Sequence, residues 1–189
     1  ARVRGLSSFR ESFGGEIVVP EDSGYEQARA VWNGMADRRP ALVVRPADVD
    51  DVVSALRFAR DEELIVAVRC GGHSIPGLST CDDGIVIDLS PMNKVEVDPE
   101  AKTARAEAGT TWGEFDAGTQ EHGLAVTGGR VPSTGIGGLA LGSGSGWLER
   151  AFGFTCDNLI SAEIVTAASE IVTASEDAHP DLFWAIRGG

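Results

Sequence analysis

LIVAVRCGGHSIPG, residues 64–77, begins as an apolar run and ends as a glycine-rich turn that carries a histidine. The run LIVAV is the right length for a buried strand and too short for a helix. Gly71 and Gly72 can take backbone dihedrals closed to other residues, which turns successive amide N–H groups inward into an anion nest without a lysine. His73 follows immediately, so a turn that grips a phosphate also delivers an imidazole to the same ligand.

Outward from this stretch, the pattern is strand, helix, strand. After a polar opening come Ile17–Val19 and a stretch with Tyr25 and Trp32, and ALVV at 41–44, between Pro40 and Pro46, reads as a short strand entering a turn. Residues 48–63, DVDDVVSALRFARDEE, set Val49, Val52, Val53, Leu56 and Ala59 on one helical stripe, with Asp48 placed to cap the first turn. IVIDL at 85–89 closes a small α/β lobe with at least one parallel crossover.

From Val95 the period changes. VEVD and TARAEA alternate as half-buried strands around a turn at 98–102, and Thr111 with Glu114 predicts a capped helix that carries Trp112 and Phe115 on one face and stops at Gly123. SAEIVTA and EIVTAS predict two strands joined near Ala168 and Ser169, and HPDLFWAIR a short helix with Pro180 in its first turn. The expected fold class is α+β in two lobes, residues 1–98 and 99–189, the second mainly antiparallel.

Glycine makes up 24 of the 189 residues and gathers in RCGGHSIPG and in TGGRVPSTGIGGLALGSGSGW at 127–147. Each cluster follows an apolar run and is expected at a strand end, where ligands commonly sit. Gly135, Gly137 and Ala140, with Asp157 beyond, fit the loose dinucleotide pattern. Pro132 interrupts the approach, however, and the following GSGSGW is a poor helix start, so a nicotinamide fold is set aside. A net charge of −13 disfavours nucleic acid and anionic membranes, and no run reaches the length of a membrane span. Cys70, Cys81 and Cys156 form no CxxC pair and His73, His122 and His179 no metal motif, so no metal is expected. The cytoplasm is the default location.

Four stretches in unbroken order, RCGGHSIPGLSTCDDGIVIDLSPMNKVEVDP, TARAEAGTTWGEFDAGTQEHGLAVTGG, GGLALGSGSGWLERAFGFTCDN and HPDLFWAIRGG, resemble the berberine bridge enzyme-like and 6-hydroxy-D-nicotine oxidase-like FAD-linked oxidases of the vanillyl-alcohol oxidase fold group. That resemblance implies a two-lobed FAD-binding domain. It implies that Arg69, Cys70, Gly71, Gly72, His73 and Ser74 wrap the pyrophosphate, with FAD covalently bound through His73 to its 8α carbon. It also implies that Pro132, Thr134, Gly135, Gly137 and Gly138 line the cofactor by backbone, that Gly142 and Gly144 allow close approach, and that Asp157 and Ile164 border the adenosine.

Two-link members read GxCPxxG where this chain reads GRVPSTG, with Val131 in the cysteine's place, so one link is expected. The implied reaction is hydride transfer from an alcohol, sugar or amine carbon to the flavin, with electrons passed to oxygen or another acceptor. No general base is assigned. The family continues past the final RGG into a substrate lobe. This chain is therefore expected to be inactive alone, to meet its small organic substrate through the missing lobe, and to hide apolar surface by self-association. A noncatalytic flavin-binding module is the competing reading.

Overall fold

The computed structural model describes residues 3–188; Gly189, the end of the resembled stretch, lies outside them. The chain forms two compact units, Ala1–Met92 with Val165–Glu170, and Asn93–Ile164 with Ile171–Gly189.

The first unit contains α1 (Leu6–Ser12), β1 (Glu16–Val18), α2 (Tyr25–Arg29), β2 (Leu42–Arg45), α3 (Val49–Asp61), β3 (Val66–Arg69) and β4 (Ile85–Asp88). Its sheet runs β1-β2-β4-β3, with β1 antiparallel to β2 and the other pairs parallel. β4 thus inserts between the two strands that α3 connects. Leu42, Val44, Ile85 and Ile87 point to one face and pack with Phe9, Phe13, Ala55 and Ala59, while Val43, Val86 and Ala67 meet Tyr25 and Ala28 on the other.

Asp48 caps α3 by accepting from the Asp51 amide at 3.0 Å. Asp51 is itself buried and accepts from the Gly14 and Ala47 amides at 2.8 and 2.9 Å, so it fastens two loops rather than merely facing the helix dipole. The apolar stripe of α3 is displaced from the expected one. Val53, Ala55 and Ala59 are buried, whereas Val49, Val52 and Leu56 are half-buried. The polar opening holds a helix that the sequence pattern hid, anchored by the buried Phe9 and Phe13, one turn apart, with Leu6 packed beside them; Phe9 stacks on Phe58 at 4.2 Å. LIVAV was expected to be buried throughout, but β3 is an edge strand whose Val66 and Val68 are exposed, since the core helices cover β2 and β4.

The second unit contains the antiparallel pair β5 (Val95–Asp98) and β6 (Thr103–Ala106), then α4 (Trp112–Gln120), α5 (Ile136–Leu141), α6 (Glu149–Phe152), a 3-10 turn (Thr155–Asn158), the paired β7 (Ser161–Val165) and β8 (Ile171–Ser175), and α7 (Pro180–Ala185). The β5–β6 turn is held by Asp98, which accepts from the Glu100 and Ala101 amides at 3.0 Å. Glu114 reaches back to accept from the Thr111 amide at 2.8 Å and hydroxyl at 2.7 Å, starting α4, and Gly123, at φ +67°, ends it. Trp112 and Phe115 meet edge to face at 5.3 Å. Among the described residues no helix is long and apolar enough to cross a membrane.

Candidate functional site

Arg69 and Asp88 end β3 and β4 side by side in the parallel register. The loop 70–74 therefore leaves from the carboxyl ends of parallel strands, the edge at which open α/β sheets receive ligands. The buried Arg69 guanidinium donates to Asp88 at 2.7 Å and to the carbonyls of Ala28 and Ala30 at 2.6 and 3.1 Å; Arg45 donates to the same carboxylate at 3.1 Å. Burial alone would push the Asp88 carboxyl up, but the hydrogen bond and charge of Arg69, joined by Arg45, hold it below the ordinary carboxylate range. The Arg69 guanidinium is thus turned into the unit's interior, while its aliphatic stem lies under the loop, its Cδ 3.5 Å from where a Cβ on Gly72 would stand.

Within the loop, Gly72 is buried at φ +69°, a conformation that strains any other residue. Gly71 does not share it, so the turn takes its left-handed step from one glycine of the pair. Cys70, Gly71, His73 and Ser74 are half-buried. Ser74 steadies the loop exit, its hydroxyl accepting from the Leu78 amide at 3.0 Å and its carbonyl from the Gly77 amide at 3.1 Å. The Trp32 ring stacks on His73 with centroids 5.3 Å apart and planes 23° from parallel.

In the second unit the glycine-rich stretch follows not the expected strand but the irregular residues after α4, and it builds α5 from IGGLAL, with Gly135 as the extended N-cap. The segment before α5 is laid alongside the start of α4: Gly113 donates to the Pro132 carbonyl, Trp112 to that of Thr134 and Ile136 to that of Thr110, all at 2.9 Å. Gly135 is buried, Thr134 and Gly137 are half-buried, and Pro132, Gly138 and Gly142 are exposed. A Cβ on Gly137 would lie 3.1 Å from the Ala108 carbonyl, whereas one on Gly138 would meet nothing within 4 Å. Gly144, at φ +78°, is pressed against the Thr155 side chain, whose hydroxyl donates to Thr127 at 2.8 Å and Gly144 at 3.1 Å.

Gly128 and Gly129 pack on the Trp112 ring, and the buried Trp112 Nε1 has no hydrogen-bond partner. An orphaned donor near Gly129 and Thr134 and the open space over Gly138 suit a closely fitting polar ligand. Asp157 is exposed, accepts from the Phe154 amide at 2.8 Å and lies 3.8 Å from Arg187; with Cys156, Trp184 and Arg187 it lines a cleft of about 270 Å³. Ile164 is half-buried in β7.

Tyr25 is no base: it is buried, its hydroxyl donates to the Pro40 carbonyl at 2.7 Å, and burial pushes its phenol up. Among the described residues no three His, Cys, Asp or Glu side chains cluster as a metal site. Two residues of the first-unit site escaped the sequence reading. Asp88 had a signal, a carboxylate closing an apolar run; Trp32 had none.

The model of the FAD binding domain family matches residues 40–175. The chain is 38% identical over 177 residues to (R)-6-hydroxynicotine oxidase of Paenarthrobacter nicotinovorans, covering 94% of this chain and 39% of that protein. The crystal structure of 6-hydroxy-D-nicotine oxidase from Arthrobacter nicotinovorans superposes with a TM-score of 0.92 at 38% identity, covering 94% of this chain and 39% of that one. Glucooligosaccharide oxidase from Acremonium strictum, described with a 6-S-cysteinyl, 8α-N1-histidyl FAD, superposes at 0.91 with 29% identity, covering 97% and 39%. The chain thus spans about two fifths of the length of these relatives.

Proposed function

The chain belongs to the FAD binding domain family, and from that premise we propose that it is the cofactor-holding part of an FAD-dependent oxidoreductase with the flavin tethered to His73. The observation that carries this reading is the loop at the carboxyl end of β3, where a buried left-handed Gly72 sets His73 beside a backbone turn suited to phosphate. Residues 69–74 bind the pyrophosphate side, Arg69 through its backbone. Pro132, Thr134, Gly135, Gly137, Gly138, Gly142 and Gly144 line the cofactor, and Asp157 and Ile164 border its adenosine. The two lobes of the cofactor domain are residues 1–98 and 99–189.

When bound, the flavin supplies the redox chemistry, taking hydride from an alcohol, sugar or amine carbon and passing electrons to oxygen or another acceptor. This chain's residues bind, tether and orient it. The 8α-N1-histidyl FAD of the glucooligosaccharide oxidase supports the tether. Cys81 and Cys156, kept as buried thiols, suit a reducing cytoplasm. Exposed Trp147, Phe152 and Trp184 support self-association or cover by further protein. Acid precipitation followed by peptide mapping tests the reading: flavin on the peptide that contains His73 is expected, and flavin wholly released into the supernatant counts against it.

A further inference from the structure

We propose that Trp32 is a positioning residue for His73, its indole holding the imidazole in the orientation from which the bond to the flavin forms. This role rests on reading His73 as the tether. The Trp32 ring stacks on the His73 ring at 5.3 Å, and the Trp32 amide donates to the Gly72 carbonyl at 3.1 Å. On the other side of His73, the Asn33 side-chain amide donates to the Ile75 carbonyl at 2.8 Å. The same segment is anchored from below, because Arg69 donates to the carbonyls of Ala28 and Ala30 at 2.6 and 3.1 Å. Residues 28–33 are therefore bonded to the strand end and to both flanks of the histidine.

The backbone bonds explain why the segment lies where it does, but they do not explain a tryptophan. The residue is 67% exposed, so it adds little to the core. What the ring does is restrict the imidazole by stacking on it, since a histidine χ2 torsion is intrinsically broad.

Tethering joins an imidazole nitrogen to the 8α carbon. One proton leaves that carbon and one leaves the imidazole, while two electrons enter the flavin and pass to dioxygen, giving hydrogen peroxide. A ring already held at the angle of attack removes the rotational search from that step.

The test uses the natural full-length polypeptide as wild type, Trp32→Ala and Trp32→Phe, prepared without flavin and then mixed with FAD. Acid-stable flavin is followed over time beside total bound flavin and the thermal midpoint. Trp32→Ala should bind FAD and melt like the wild type yet acquire acid-stable flavin about tenfold more slowly or worse, and Trp32→Phe, which keeps a stacking ring, should recover most of the rate. Tethering of Trp32→Ala at the wild-type rate overturns the positioning role and leaves the His73 reading standing. Wild-type flavin that is all released by acid overturns both. A Trp32→Ala protein that binds no FAD or melts early assigns Trp32 to binding or folding and overturns the positioning role.

Discussion

Arg69 and Asp88, opposite each other on adjacent parallel strands, form a buried ion pair at 2.7 Å from which the histidine-bearing loop departs. The pair costs desolvation and recovers it only because each group is satisfied elsewhere as well, Arg69 by two carbonyls and Asp88 by Arg45.

Asp88→Ala leaves the Arg69 charge buried without its carboxylate and should destabilise the first unit by about 3–5 kcal/mol, read from denaturant unfolding. The wild-type pair also gives acid sensitivity. The folded Asp88 carboxyl titrates below its ordinary 3.8, so its stabilisation is complete above that value and is lost as pH falls through the lower folded value. A variant as stable as the wild type at neutral pH would remove the pair from any structural role.

One covalent flavin link is expected, because Val131 has no thiol. Peptide maps of the wild type should show no cysteine thioether, on Cys70, Cys81 or Cys156. Val131→Cys is the variant in which a second link should form, detected as a flavin cross-linked between two peptides. Flavin on a native cysteine would sink both the single link and the alignment behind it.

Two glycines of the second unit should answer oppositely to alanine. Gly144→Ala forces a side chain into a positive φ and against Thr155, and should cost about 2–3 kcal/mol. Gly138 lies within α5 with open space above it, so Gly138→Ala should leave stability unchanged or raise it by up to about 1 kcal/mol through helix propensity. If that space is where the cofactor approaches, Gly138→Ala should nevertheless weaken FAD binding, measured by fluorescence titration. Undiminished binding would remove Gly138 from the proposed wall.

Residues 1–189 with FAD bound should not turn over alcohols, sugars or amines at an enzyme-like rate. Tyr25 is locked to Pro40, and the residues proposed to line the cofactor include no assigned general base for a substrate. Anaerobic stopped-flow mixing that bleaches the oxidised flavin rapidly and saturably would show a reactive base within these residues.

The elements that rest on local chemistry were legible in the amino-acid order. Asp48 and Glu114 mark helix starts because a cap bonds within one turn, and VEVD and TARA mark strands because alternation is a nearest-neighbour property. The glycine–histidine turn was legible for the same reason. What tertiary structure alone decided is which strand lies next to which and what then meets across the gap. β4 inserts between β2 and β3, leaving β3 at the edge with Val66 and Val68 uncovered although its sequence is as apolar as a central strand. Helix α1 is anchored by contacts distant in the chain, Phe9 stacking on Phe58 and packing with Phe13 against the β2–β4 core. Asp88 meets Arg69, and Trp32 meets His73, through pairings that no spacing encodes, since contacts between residues 19 positions apart or more depend on how the sheet is assembled.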